Sequence, residues 1–379
     1  MESAKQYRYI YLYGAGYYGR RLLRVYADRA ICVTAVVVTS KAGNPDKIGK
    51  YPVRVIDEIH TAPRDSLFII GAGAKKCGEM TARLKSMGFY NIVKPPVEKR
   101  FYESLNNRPK IEITTRAGCA VNCRFCPQDL FCSRYLKGGK TDTVMSAETF
   151  RICLDKIPKD GIITFSGFCE PFLNQNCIDM MEYAVSQGRE IEIYTTLVGV
   201  TREIAQRIVK LPIKTFVLHT PDSEGYANIP VSKEYFAVLD IILDSVRDNG
   251  IPLVDSANCQ GIPSPEILDY IRGRVVVKSD LCDRAGSLSE EQLKKTDYLN
   301  GLIECTKMKK FNQWVLLPDG RVVLCCMDFG LRHVLGNLRQ QPYDEIIGGD
   351  ILKNIECGLT DETMGILCRE CTSARECSQ

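Results

Sequence analysis

Cys119, Cys123 and Cys126 stand in C-x3-C-x2-C spacing just after an apolar, strand-like run, KIEITTR (110–116). Three thiolates on one loop can grip three irons of a [4Fe–4S] cube and leave the fourth iron without a protein ligand. An open iron can coordinate a small molecule and pass it an electron. Zinc is the other use of such thiols, although a structural zinc usually takes four ligands in C-x2-C pairs. A second group of cysteines lies near the C-terminus. Cys305 is followed by fourteen residues, Gly320, four residues and Cys325, and Cys368 and Cys371 form a C-x2-C pair further on.

The whole chain of 379 residues carries 18 cysteines against 3 histidines and 1 tryptophan. Cysteine this abundant means disulfides, zinc or iron–sulfur clusters. Disulfide scaffolds are mostly small secreted domains. This chain is large, and MESAKQYRYIYLYGAG lacks the order of a signal peptide. The longest apolar run is about ICVTAVVV (31–38), far short of the ~18 residues a membrane helix needs. The expectation is a cytoplasmic protein with reduced thiols and no membrane span, which leaves metal. The net charge of +4 gives no electrostatic case for nucleic acid.

The elements that must position these thiols follow from periodicity. Strand-like runs at 110–116, 161–167, 190–196, 214–220, 251–257 and 274–280 alternate with helical segments at 147–157, 177–188, 202–210, 232–250 and 264–273. Six β/α repeats predict a parallel sheet curved toward a partial (β/α)6 barrel, with functional groups at the C-terminal ends of its strands. Candidates there are Cys259 and Cys282, and also His219, Lys278, Asp280 and Arg284. Arg284 could meet a ligand carboxylate or the substrate, or form a surface ion pair. Cys132, Cys153, Cys177 and Cys357 have no ligand spacing and read as small buried hydrophobes.

Only Cys32 and Cys77 precede residue 100. Residues 1–97 read as a small Rossmann-like α/β domain. Its first strand runs into Gly14, Gly16 and Gly19, the strand–turn–helix setting of a phosphate site. The second strand ends VVVTSKAG (36–43) without the acid that holds ribose hydroxyls. A turn whose glycines serve only the backbone is the alternative. A linker is expected over 98–109, the partial barrel over 110–285 and a cysteine-rich extension over 286–379.

The Cys119–Cys126 loop, with Phe125 before the third cysteine, resembles the signature of the radical S-adenosylmethionine (SAM) superfamily. The resemblance implies an enzyme whose open iron chelates SAM and whose reduced cluster cleaves it to a 5′-deoxyadenosyl radical that abstracts a substrate hydrogen. Gly167-Phe168-Cys169-Glu170-Pro171 resembles the family's Gly-Gly-Glu-Pro segment, whose backbone and acid receive the SAM ammonium, with Cys169 where glycine is common. Thr195 ends the third strand, where relatives often have Thr-Asn-Gly. The resemblance implies SAM-site roles for Phe125, Gly167, Cys169, Glu170, Thr195 and Arg284, and a flavodoxin- or ferredoxin-type reductant.

The C-terminal cysteines resemble the SPASM/twitch extension of the same superfamily, which carries auxiliary clusters. A hairpin over 314–324 would bring Cys305 and Cys325 together, and Cys368 and Cys371 complete four ligands for one auxiliary [4Fe–4S] cluster. The adjacent Cys326 leaves the ligand choice open, and the spacing after Gly320 favours Cys325. Cys377 meets one further position of the fuller pattern, and the remaining ones have no residues. A zinc knuckle on the same four thiols is the alternative.

Three functions compete. The front domain resembles those of bacterial surface-sugar enzymes, and the extension resembles twitch-bearing enzymes of aminoglycoside biosynthesis. These suggest dehydrogenation, epimerisation or deoxygenation of a carbohydrate, nucleotide sugar or polyol. In radical epimerases a thiol returns hydrogen to the substrate, and Cys169, Cys259 or Cys282 could do so here. The second function is modification of a ribosomally made peptide, and the third is a non-catalytic iron–sulfur scaffold.

Overall fold

The computed structural model describes residues 4, 6–94, 108–137, 142–279, 281–288, 297–308 and 311–377. The expected linker over 98–109, apart from its last two residues, and Asp280 lie outside them. The chain forms two compact units: residues 1–105 with 240–257 and 265–278, and residues 106–239 with 258–264 and 279–379.

The first unit is built on a six-stranded sheet. Strands β1 (Ile10–Tyr13), β2 (Ala35–Val38), β3 (Lys47–Ile48), β4 (Tyr51–Val55), β5 (Leu67–Ile70) and β6 (Ile92–Val93) are ordered β3-β4-β2-β1-β5-β6. All neighbouring pairs are parallel except β3–β4. Every residue of β1, β2 and β5 is buried, as expected for parallel strands covered on both faces. Helices α1 (Tyr17–Asp28) and α2 (Ala74–Ser86) leave the ends of β1 and β5. Strands β3 and β4 are additions to the sequence reading. Their run, KIGKYPVRV, has a proline and three basic residues, which mask a strand pattern.

The hydrophobic core of this unit includes Ile251 among Ile10, Leu12, Leu23 and Val36. Arg24 and Arg247 both pair with Asp255, at 2.6 and 2.8 Å. Arg20 donates to the carbonyls of Ala15, Gly273 and Arg274. Segments 240–257 and 265–278 are therefore tied to the N-terminal residues. The expected strand over 251–257 is displaced: 251–255 are irregular, and β11 is Ser256–Cys259.

The second unit holds the central β/α alternation. Strands β7 (Lys110–Ile113), β8 (Ile162–Phe165), β9 (Ile191–Thr195) and β10 (Ile213–Thr220) are parallel neighbours. Between them lie α3 (Gln128–Leu136), α4 (Ala147–Lys156), α5 (Cys177–Ser186) and α6 (Arg202–Ile208). Ser146 and Thr201 cap α4 and α6 through their side chains. The boundary between the units crosses α7 (Lys233–Leu243), β11 and β12 (Val277–Ser279); α8 is Pro265–Tyr270. Helix α7 stops at Leu243, short of the expected 250, because 244–250 turn back on themselves with Arg247 N bonded to Ile251 O.

The C-terminal hairpin forms as expected, from β14 (Gln313–Leu316) and β15 (Arg321–Val323). It is not a separate layer, because β14 pairs in parallel with β7. The sheet of this unit therefore runs β10-β9-β8-β7-β14-β15-β16, with β16 at Val334–Asn337. Strand β13 (Ile303–Cys305) pairs antiparallel with β17 (Ala374–Glu376). The fold is mixed α/β with parallel sheets, and its cysteine-rich end continues the central sheet.

Candidate metal centres

The Cys119–Cys126 loop leaves the C-terminal end of β7 through Gly118, whose φ is +88°. It is strapped to a neighbouring loop by Arg124 N on Tyr226 O (2.6 Å) and Asn228 N on Val121 O (2.8 Å). Phe125, expected beside SAM, is buried with its ring edge-on to Tyr226 at 5.2 Å. The ring packs the loop against Tyr226. Two of the thiols accept hydrogen bonds: Cys119 Sγ from Glu170 N (3.3 Å) and Cys126 Sγ from Gln128 Nε2 (3.2 Å). Donors aimed at sulfur stabilise thiolate charge. Burial pushes the Cys123 thiol up to about 12, and Cys126 and Cys119 raise it further. These thiols cannot all ionise together without a compensating cation, which a metal cluster supplies.

The glycine and acid of the second segment both have local causes. Gly167 has φ +73°, and a Cβ there would stand 2.3 Å from Thr114 Oγ1. Glu170 is buried, and its carboxylate is fully occupied by protein. Thr195 Oγ1 (2.7 Å) and Phe172 N (3.3 Å) donate to Oε1, while Thr196 N (2.6 Å) and Thr196 Oγ1 (2.7 Å) donate to Oε2. A carboxylate offers about four lone-pair sites, so none is left here for a ligand ammonium. These bonds tie the end of β8 to the end of β9. Burial pushes the Glu170 carboxyl upward, against the pull of the two threonines. Cys169 Sγ lies 3.5 Å from Thr115 Oγ1, and burial pushes its thiol up to about 12.

Arg284 lies among these thiols. Its guanidinium stands 5.7 Å from the Phe329 ring centre, in an aromatic cluster that also packs Cys126 and Cys326. Its Nε is buried without a hydrogen-bond partner. The Cys282 and Cys126 thiols are its first-ranking charge neighbours. Arg284 (φ +50°), Ala285 (φ +52°) and Gly286 (φ +75°) are three successive left-handed residues. Such backbone costs roughly 1–2 kcal/mol per non-glycine residue, and such strain clusters at functional sites. An orphaned buried donor beside three cluster-type thiols fits a bound anionic group. His219, at the end of β10, is pushed down to about 4, first by burial and then by Arg284. The two strand-end thiols differ. Cys259 is buried against Pro221 O (3.7 Å), whereas Cys282 is half-buried beside Arg284.

The second cysteine group forms an open recess whose lining includes Cys305, Cys325, Cys326, Cys368 and Cys371. Its other walls are largely apolar, among them Met308, Met327 and Leu367. Thiols from three separate segments thus converge on one largely apolar concavity, which fits an iron–sulfur cluster. Met308 N donates to Cys305 Sγ (3.3 Å) and Ser373 N to Cys371 Sγ (3.4 Å). Both members of the adjacent pair line the recess; the charge neighbours of Cys325 include Cys368 and Cys371, and those of Cys326 include Glu112, Lys307 and Arg284. Among the described residues, no three His, Cys, Asp or Glu side chains are gathered tightly enough for a single ion.

In the first unit, Gly14, Gly19 and Gly71 pack against one another. A Cβ on Gly19 would stand 1.8 Å from Gly14 O, and one on Gly14 2.6 Å from Gly71 O. Gly16 has open space around it and precedes α1. Two of the three expected phosphate-loop glycines are thus accounted for by helix–strand packing. Among the described residues, no helix is long and apolar enough to cross a membrane.

The sequence reading singles out neither Gln128 nor Glu112 as part of these sites. Glu112 had one available signal, an acid inside an apolar strand at KIEI.

A search of curated proteins found no match. Among solved structures, the chain is similar to BtrN in complex with AdoMet and 2-DOIA, at 18% identity and TM-score 0.46, over 71% of this chain and 93% of that one. It is similar to native anSMEcpe with bound AdoMet, at 10% identity and TM-score 0.40, over 69% and 86%. It is similar to Streptococcus suis SuiB bound to S-adenosylmethionine, at 15% identity and TM-score 0.37, over 75% and 81%. The family model for the SPASM iron–sulfur cluster-binding domain matches residues 305–372, which span all four expected auxiliary ligands.

Proposed function

We propose that this protein is a radical SAM enzyme acting on a carbohydrate, nucleotide sugar or polyol, with one auxiliary [4Fe–4S] cluster. The observation that carries the reading is the three-thiol loop at the end of β7. Cys119 and Cys126 there accept hydrogen bonds from Glu170 N and Gln128 Nε2, and Arg284 stands beside the loop with an unpartnered donor. When bound, such a cluster supplies an electron to SAM, yielding a 5′-deoxyadenosyl radical that takes hydrogen from substrate.

Cys119, Cys123 and Cys126 would hold that cluster. The backbone of Gly167–Cys169 and the Arg284 guanidinium would orient SAM. Glu170 fixes the geometry of β8 against Thr195 and Thr196. Cys305, Cys325, Cys368 and Cys371 would hold the auxiliary cluster, and Cys326 would remain a free thiol facing Glu112 and Arg284. Cys282 fits a hydrogen donor better than Cys259, because it is half-buried beside Arg284 while Cys259 is buried against a carbonyl. Residues 1–97, 98–109, 110–285 and 286–379 would be a Rossmann-like domain, a linker, the radical SAM barrel and the auxiliary domain. A flavodoxin or ferredoxin would supply electrons.

The test is label transfer. The reduced holoenzyme is incubated with SAM and deuterated sugars or nucleotide sugars, and 5′-deoxyadenosine is examined by mass spectrometry. Deuterium in 5′-deoxyadenosine supports the reading. Transfer from a labelled peptide instead moves the substrate to that class. No 5′-deoxyadenosine on reduction, with both clusters loaded, leaves a scaffold role.

A further inference from the structure

We propose that Asp328 and His333 form a latch that sets the spacing between the two halves of the auxiliary-cluster site, acting as positioning residues for Cys325 and Cys368. This rests on the SPASM reading of residues 305–372 and assigns them a task outside the ligand set.

The loop between β15 and β16 runs from Leu324 to His333 and carries Cys325 near its start. Asp328 is fully buried at its centre. Its backbone N–H donates to Cys325 O (3.1 Å), and its carboxylate accepts from Arg332 N and His333 N, both at 2.8 Å. Leu324 N donates to His333 O (3.1 Å), which closes the loop at its base. The carboxylate thus fixes where the His333 backbone lies relative to Cys325. Leu331, at φ +49°, holds the left-handed bend that brings the two amides toward Asp328.

The imidazole carries this position across the recess. Leu367 N donates to His333 Nε2 at 3.1 Å. Leu367 opens the 3-10 turn Leu367–Glu370, and its next residue is Cys368. The chain of contacts runs from Cys325 through Asp328 and His333 to Leu367 and Cys368. It links two ligand segments more than forty residues apart in sequence. An acceptor at Nε2 puts the ring proton on Nδ1, so the contact needs the neutral ring in one tautomer. The outer contacts between the same segments, Arg332 with Glu370 (2.8 Å) and with Gly365 O (3.3 Å), are exposed. Exposed pairs of this kind add little, which leaves the imidazole as the buried link.

The geometry makes a specific demand. A Gln oxygen can occupy the place of Nε2, whereas an Asn oxygen reaches only the place of Nδ1. His333→Gln therefore keeps the acceptor and His333→Asn loses it, with similar polarity. The full chain is reconstituted anaerobically with iron and sulfide. Iron is counted, and the reduced proteins are compared by EPR. The expected result is about eight Fe per chain for wild type and His333→Gln. His333→Asn is expected to fall toward about four and to lose the auxiliary signal, while the signal of the Cys119/Cys123/Cys126 cluster stays. A His333→Asn protein with the full iron complement and an unchanged spectrum overturns the latch alone. A wild type holding only about four Fe overturns the cluster reading and the latch with it. If His333→Asn does not fold, hydrogen exchange of wild-type holoenzyme reads the same contact. The Leu367 amide is expected to be protected, and rapid exchange there overturns the proposal.

Discussion

Replacing Glu170 by Gln separates two roles for this acid, a ligand for SAM and a clamp between strands. The carboxylate accepts four hydrogen bonds, and only two can survive the change. The Gln oxygen best replaces Oε2, where it keeps Thr196 N and Thr196 Oγ1 as neutral bonds. The amide nitrogen then faces Phe172 N and Thr195 Oγ1. Phe172 N loses its acceptor. Thr195 Oγ1 already accepts from Leu197 N (2.8 Å), so its own proton is left without an acceptor. A bond to a charged acceptor contributes about 1.5–3 kcal/mol, a neutral one about 1, and an orphaned buried donor costs about 1–3. Removal of a buried charge offsets part of this. The net expectation is a loss of about 2–4 kcal/mol in anaerobic urea unfolding of the apoprotein. SAM affinity, measured on the refolded and reconstituted variant, should change little. Full stability together with a tenfold or greater loss of SAM affinity would refute the clamp and restore the acid to the ligand site. The pH dependence has a definite sign. Burial raises the folded-state pKa above the ordinary 4.5, so the folded state holds the extra proton in that window. Stability of wild type relative to Glu170→Gln therefore falls as pH rises from 4.5 through the raised value.

Cys325→Ala should remove the auxiliary cluster, taking iron from about eight to about four per chain, while Cys326→Ala should leave it near eight; equal losses would show that the adjacent thiols share the role. Gly19→Ala should prevent folding of the first unit, since its Cβ would stand 1.8 Å from Gly14 O. Gly16→Ala, with open space around it, should shift stability by about 1 kcal/mol or less in the same urea unfolding. His219 should stay neutral down to about pH 4, seen as imidazole NMR shifts that do not move between neutral pH and pH 5. Its folded pKa lies below the ordinary 6.5, so its contribution is present above 6.5 and is lost as pH falls toward 4. A midpoint near 6.5 would mean an open, solvated ring.

The cysteine spacings were legible because each is local. A three-residue and a two-residue gap on one loop fix three thiols whatever the rest of the chain does. The helices capped by Ser146 and Thr201 were legible for the same reason, and the structure keeps both caps. The Glu170 clamp was not, because it depends on the register of β8 against β9, which places Phe165 opposite Ile193 and carries the chain ends past one another. No spacing in sequence encodes that register. The same holds for Cys326. Adjacent cysteines look equivalent in sequence, but Cys325 and Cys326 lie in the turn beyond β15, where only tertiary structure gives them different neighbours. Only the pairing of β14 with β7 puts Glu112 opposite one of them.

The first hundred residues show where local reading stops. Gly14, Gly16 and Gly19 match a phosphate loop, and two of them are there because backbones touch. Further evidence that this segment is shaped by packing is the set of residues it shares with distant sequence. Arg24 and Arg247 grip one carboxylate at Asp255. Gly49 admits Gly250 so closely that a Cβ would meet its carbonyl oxygen at 2.0 Å. Ile251 completes the core around Ile10 and Leu12. The segment 251–255 is irregular where its composition suggests a strand, and Asp255 at its end holds both guanidiniums with one carboxylate. Asp255→Ala should loosen the first unit at two arginines together, because it removes the one carboxylate that both half-buried cations share. A double-mutant cycle with Arg24→Ala and Arg247→Ala would measure whether the two pairs act as one unit.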